Sequence, residues 1–225
     1  MQSLLLYLDD VVVFSTSIEQ HLQRLELLVQ RLQKENLKVK LSKCCFFLKQ
    51  VKYLGHVVSD DGVATDPNKI AAVAQWKCPE TVKELKSFLG FASYYRRFVS
   101  VFSQIASPLN SLAAKLTSKD KRVKNSIKPH WTKTCHAAFQ TLKQKLTAAP
   151  VLAYADFNKP FILDIDASHD GLGAVLLQEW EGRVRPIAFA SRSLRRTERN
   201  MQNYSSMKLE FLAFKWAVAE KFREY

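Results

Sequence analysis

Two adjacent acids, Asp9 and Asp10, interrupt an otherwise unbroken apolar run, with Leu4-Leu5-Leu6-Tyr7-Leu8 before them and Val11-Val12-Val13-Phe14 after. Such a run is too short to span a membrane and reads as a buried strand, or as two strands meeting at a tight turn. Ionised carboxylates there are expensive, because an unpaired charge taken out of water costs several kcal/mol even after relaxation. The acids should then be protonated, paired or neutralised by a cation. A hairpin with both at its tip would offer the hard oxygen ligands that Mg2+ takes, usually together with phosphate oxygens of a substrate. A plain turn between Leu8 and Val11 is the alternative, since Asp is a common turn residue.

What such a chain could bind follows from its charge. A formal net charge of +13 over 225 residues favours a polyanionic partner, most simply nucleic acid, through phosphate contacts and counterion release. A hydrophobic content of 47% supplies the core of one large or two small domains and excludes a disordered chain. No apolar stretch reaches transmembrane length, and the N-terminus lacks a basic region and a small-residue cleavage site, so a cytoplasmic or nuclear protein without a membrane partner is expected. Cys44, Cys45, Cys78 and Cys135 form no CxxC pair and read as reduced thiols. The scattered histidines give no zinc-finger spacing.

Ser17 with Gln20 is a capping box, after which Ile18, Leu22, Leu25, Val29 and Leu32 recur at helical spacing, predicting an amphipathic helix that covers the sheet holding Asp9. Leu37 to Leu41 alternates, and Cys44 to Leu48 and Val51 to Ser59 continue as short strands, closed by a turn at Asp60-Asp61-Gly62. Asp66-Pro67 begins a helix with Ile70, Val73 and Trp76 on one face, ended by Pro79. Thr81 with Glu84 caps the next, whose apolar stripe is Leu85, Phe88, Leu89 and Ala92. At its end, Tyr94-Tyr95-Arg96-Arg97-Phe98 interleaves rings with guanidinium groups. Tyr94 and Phe98 read as packing, and Arg96 and Arg97 as phosphate contacts. Ala114 to Lys133 holds seven lysines and arginines against one acid, Asp120, and reads as a solvated basic linker that leads into a helix over Trp131 to Thr147.

Past Ala149-Pro150 a second acidic element begins. Phe161 to Ser168 is a strand with Asp164 and Asp166 on one face, because side chains alternate with period two. Gly171 and Gly173 read as a turn into a strand over Ala174 to Gln178, and a third strand spans Pro186 to Ala190. A helix from Ser205-Ser206 then buries Leu209, Leu212, Ala213, Trp216 and Ala217, which leaves Glu210 beside the buried stripe.

Tyr7-Leu8-Asp9-Asp10 with its apolar run and Ser15 resembles the polymerase motif of reverse transcriptases, in the form found in gypsy-type LTR retrotransposons. The resemblance implies that Asp9 and Asp10 sit on the palm hairpin and bind the Mg2+ ions of nucleotide transfer. Tyr53-Leu54-Gly55-His56 resembles the primer-grip hairpin, which implies that Tyr53 and Gly55 lie at the primer terminus. The stretch around Arg96 and Arg97 resembles the thumb, whose helices lie against the template-primer. Asp166-Ala167-Ser168 followed by Gly171-Leu172-Gly173-Ala174-Val175-Leu176 resembles the RNase H module of the same elements, with Asp166 as its first catalytic and metal-binding carboxylate and Glu210 as the second. Cleaving an RNA phosphodiester by two cations about 3.5 to 4 Å apart needs carboxylates from different elements, and a strand acid with a helix acid suits that plan.

The resemblance implies a mixed α+β and α/β chain: the C-terminal part of a palm with its primer-grip hairpin over residues 1–62, a helical thumb over 63–113, a basic linker and connecting helix over 114–150, and an RNase H-like domain with a mixed sheet over 151–225. An RNA/DNA hybrid or template-primer is the implied partner. The family's palm also uses an Asp from a strand well upstream, and its RNase H continues into a fourth strand with a third Asp. With neither present, the chain reads as truncated at both ends, and both activities are expected to be incomplete in it. Two functions follow: a fragment of an RNA-directed DNA polymerase with RNase H, or a catalytically inactive nucleic-acid-binding remnant.

Overall fold

The computed structural model describes residues 4–119, 126–199 and 205–225. They belong to two compact units, residues 1–60 and 61–225.

The first unit opens with an antiparallel hairpin, β1 (Leu4–Tyr7) and β2 (Asp10–Val13), in which Leu4 faces Val13 and Tyr7 faces Asp10. Helix α1 (Ile18–Lys34) starts where Ser17 accepts a hydrogen bond from the Gln20 N–H at 3.2 Å. The Gln20 side-chain oxygen returns to the Thr16 N–H at 3.3 Å, one residue before the cap. The expected cover of the hairpin by this helix is not found. No residue of α1 is buried, and Ile18, Leu22 and Val29 are exposed. The helix is tied instead to the end of β2 by polar groups: Arg24 donates to the Phe14 carbonyl, and Ser15 Oγ lies 2.9 Å from His21 Nδ1.

The strands expected between Leu37 and Leu48 are also absent. A single 3-10 turn, Leu41–Lys43, occupies that region, and Leu37, Val39 and Leu41 are exposed. Alternation makes a strand when a neighbouring strand supplies hydrogen bonds and a covered face, and here neither is at hand. Farther on, β3 (Gln50–Tyr53) and β4 (His56–Ser59) do pair antiparallel, Tyr53 opposite His56.

In the second unit a helical core precedes a small sheet. Its elements are β5 (Gly62–Thr65), α2 (Pro67–Ala74), α3 (Val82–Tyr94), a 3-10 turn at Arg96–Phe98, α4 (Phe102–Lys119), α5 (Lys133–Thr147), β6 (Ile162–Ser168), β7 (Gly171–Trp180), β8 (Arg183–Ser193) and α6 (Ser206–Trp216). Each of α2, α3 and α5 starts at a side-chain cap: Asp66 accepts from the Asn68 N–H at 3.0 Å, Thr81 from Glu84 at 3.2 Å and Thr132 from Cys135 at 3.2 Å. Helix α2 stops at Ala74, before the Pro79 expected to end it, with the Trp76 N–H turned back onto the Val73 carbonyl at 3.0 Å.

Val73, Leu85, Phe88, Leu109, Phe139 and Leu142 form the centre of the helical core. Tyr94 is exposed, and its neighbour Tyr95 takes the buried place with Phe98. The period of α3 carries through Ala92 to Tyr95, so one residue of phase decides which ring packs. The basic stretch is anchored at both flanks. Helix α4 continues through Ala114 to Lys119, and Ile127 is fully buried, with its N–H on the Glu80 carbonyl at 2.8 Å. Residues 120–125, the centre of the expected linker, lie outside the described residues.

Strands β6, β7 and β8 form a sheet in that order, every pair antiparallel, so the parallel member of a mixed sheet is not among the described residues. Helix α6 packs on one face, where Leu209, Ala213 and Trp216 join Leu172, Leu176 and Ile187. The turn expected at Gly171 and Gly173 falls instead at His169-Asp170, and both glycines lie within β7. Gly171 is needed for closeness: a Cβ there would sit 2.6 Å from the Arg192 carbonyl oxygen of β8. Helical core and sheet are joined through the backbone, since Leu152 exchanges both hydrogen bonds with Val63, at 2.8 and 2.9 Å, and the Ala153 N–H donates to the Pro186 carbonyl at 2.8 Å.

Candidate carboxylate sites and nucleic-acid face

A two-residue turn, Leu8-Asp9, closes the first hairpin, and Leu8 has a φ of 51° and is 82% exposed. A turn with positive φ at its first central residue favours glycine, so a leucine there is strained by roughly 1–3 kcal/mol. Both Asp9 and Asp10 are exposed. The burial expected for them is therefore not found, because the flanking Leu6, Tyr7 and Val11 are themselves open to solvent. Two adjacent carboxylates at a hairpin tip remain hard oxygen donors, and a cation held there would draw its other ligands from water and phosphate.

The β3–β4 hairpin turns through Leu54 (φ 47°) and Gly55 (φ 71°), the type I′ pattern with both central residues left-handed. Its backbone follows the twist of the strands, and Tyr53, the last residue of β3, is half-buried.

Asp166 lies on β6 opposite Gly173 of β7, which in turn faces Ser191 of β8. Leu163, Ile165 and Ala167 pack into the core that α6 enters, so Asp164 and Asp166, at the alternate positions, lie on the other face. Both acids are exposed. Glu210 is exposed on α6, beside the buried Leu209. Among the described residues no group of three or more His, Cys, Asp or Glu side chains stands close enough to hold a metal ion. Asp9 and Asp10 are neighbours at one hairpin tip, whereas Asp166 lies on the sheet face away from the helix that carries Glu210.

Arg96 and Arg97 part company. Arg96 donates to the Ser191 carbonyl and, at 3.2 Å, to Ser103 Oγ, with its guanidinium 5.4 Å from the centre of the Phe102 ring. Burial lowers its pKa, yet arginine's ordinary value lies so high that the group stays a cation. It joins helical core and sheet, and over the residue as a whole it is exposed, as Arg97 is. Arg97 is exposed, with its guanidinium 6.0 Å from the Phe98 ring centre.

One ionic cluster was not anticipated. Arg192 and Glu198 form a forked pair at 2.6 and 3.0 Å, and the Arg195 N–H donates to the same carboxylate at 2.7 Å. These hydrogen bonds hold the Glu198 carboxyl below the usual glutamate range. The Arg192 guanidinium also lies 5.6 Å from the Trp216 ring centre, which ties α6 to β8. A lone acid among Arg192, Arg195, Arg196 and Arg199 was the available signal.

Residues 1–58 match the reverse transcriptase (RNA-dependent DNA polymerase) family, and residues 131–225 match the RNase H-like domain found in reverse transcriptase. The chain therefore joins a piece of a reverse transcriptase to its RNase H-like domain. It belongs with the retrovirus-related Pol polyproteins of LTR retrotransposons. In Drosophila melanogaster, the Pol polyprotein from transposon opus is 41% identical over 94% of this chain and 21% of its own length, and that from transposon gypsy is 39% identical over 95% and 20%. The chain thus spans about a fifth of the curated relatives it matches. The fold is similar to that of a foamy viral protease-reverse transcriptase solved in complex with dsDNA, at a TM-score of 0.80 and 25% identity, covering 98% of this chain and 44% of that one. The enzyme solved with an RNA/DNA hybrid gives a TM-score of 0.80 at 24% identity over 97% and 28%. No helix among the described residues is long and apolar enough to cross a membrane.

Proposed function

We propose that this chain is the part of a retrotransposon Pol protein that carries the polymerase carboxylate hairpin, holds the template-primer and contributes two acids to cleavage of the RNA strand of a hybrid. The observation that supports it best is the hairpin itself, which presents Asp9 and Asp10 side by side and exposed at a strained two-residue turn. Strain of this kind persists where the chain needs a particular presentation. Asp9 and Asp10 would hold Mg2+ for nucleotide transfer, and Asp166 and Glu210 would hold it for hydrolysis. When bound, the cations stabilise charge on the attacking and leaving oxygens of the phosphodiester.

The chain's own groups bind and orient. Tyr53 and Gly55, at a tight turn whose two central residues are left-handed, steady the primer terminus. Arg97 pairs with a phosphate of the template-primer, helped by the lysines that give the chain its net charge of +13. Arg96 acts on this face indirectly, by holding the turn that presents Arg97. Binding of a labelled RNA/DNA hybrid to the 225-residue chain tests the reading: affinity should fall steeply with salt, and binding indifferent to salt would contradict it.

A further inference from the structure

On the sheet face that carries Asp166, one segment of the helical core is seated. Val101, just before α4, has a φ of 46° and sends its side chain over Gly173, the cross-strand partner of Asp166. A Cβ on Gly173 would lie 3.3 Å from Val101 Cγ1, 3.5 Å from the Asp166 carbonyl oxygen and 3.7 Å from Asp166 Cβ. Glycine there leaves a socket that the valine fills. Two residues on, the Ser103 N–H donates to Ser191 Oγ at 2.9 Å, and the two hydroxyls meet at 3.2 Å, both serines being buried. Arg96 closes the other side on the Ser191 carbonyl. Asp166, Gly173 and Ser191 are one row across the three strands, so the segment is fixed at one end of the row, on Ser191, and covers its middle, Gly173, next to the acid.

A β-branched residue at positive φ is a rare conformation, and it marks a place where surrounding contacts overrule the local preference. The hydrogen bonds of Arg96 and Ser103 supply those contacts.

We propose that Val101 is a positioning residue for the Asp166 carboxylate, acting through the Gly173 socket and locked there by Arg96 and Ser103 on Ser191. The proposal rests on reading Asp166 as an acid of hybrid cleavage. Its consequence is that the helical core sets the geometry of that acid from the opposite side to α6.

The test compares a Pol protein containing this segment with its Gly173→Ala, Val101→Ala/Gly173→Ala and Asp166→Asn variants. Amide hydrogen exchange over Asp166–Ser168 and cleavage of a labelled RNA/DNA hybrid in Mg2+ are the two readouts. The added methyl of Gly173→Ala should raise exchange over Asp166–Ser168 at least tenfold and lower kcat about tenfold with KM within twofold. Shortening the valine in the double variant should return both to within threefold of the parent, a rescue that general destabilisation would not give. Unchanged exchange in Gly173→Ala, or a double variant no better than the single, overturns the proposal. Absent cleavage by the parent, or Asp166→Asn cutting as fast as it, counts against the reading of Asp166 instead; exchange and its rescue then decide the positioning claim alone.

Discussion

Arg96 and Arg97 are neighbours on one 3-10 turn, and their surroundings differ: the Arg96 guanidinium bonds Ser191 and Ser103, and that of Arg97 lies near the Phe98 ring. Arg96→Ala leaves the Ser191 carbonyl and Ser103 hydroxyl without their charged donor, and should destabilise the second unit by about 1–3 kcal/mol in urea unfolding. Arg97→Ala should leave stability within about 0.5 kcal/mol. It should instead lower the slope of log affinity against log salt for an RNA/DNA hybrid by about one unit. A stability loss at Arg97, or a salt-slope change at Arg96 without one, would reverse the assignment. Residue types announced two cations beside rings, but the partner of each depends on Ser191, nearly a hundred positions away, and no local pattern carries that distance.

At the scale of elements, the hydrogen-bonding caps and the periodic helices were legible, and the parts that failed share a physical reason. Ser17, Asp66 and Thr81 each begin a helix as their side chains predict, because the interaction spans three residues or fewer. Thr81→Ala should therefore cost about 1 kcal/mol, read as a lower urea midpoint for the second unit. Leu37 to Leu41 alternates yet forms no strand, and Gly171 and Gly173 lie within β7, since pairing and close approach are set by distant backbone. The ionic cluster at Glu198 belongs here too, because it ties the segment after β8 to the helix that carries Glu210. Glu198→Gln breaks a buried pair and should destabilise by about 3–5 kcal/mol. Since folding lowers this carboxyl's pKa, its contribution is fully present above the unfolded glutamate value of about 4.3 and disappears as pH falls through the folded value. Unfolding midpoints across an acid series should converge for the parent and Glu198→Gln; a gap that widens on acidification would contradict the pairing.

Over the whole molecule, the two acidic motifs of the sequence fall in different units, Asp9 and Asp10 in the first and Asp166 and Glu210 in the second. The order of modules was legible because each motif is local, whereas the seat of the helical core on the sheet was not. Two chemistries carried by separate carboxylates should be separable. The most direct measurement uses a Pol protein containing this segment, assayed for primer extension on an RNA template and for cleavage of the RNA in a hybrid. Asp10→Asn should lower extension by at least about a hundredfold and leave cleavage within about threefold, and Asp166→Asn should do the reverse. Extension and cleavage falling together in either variant, or neither falling, would contradict the assignment of the two acidic sites.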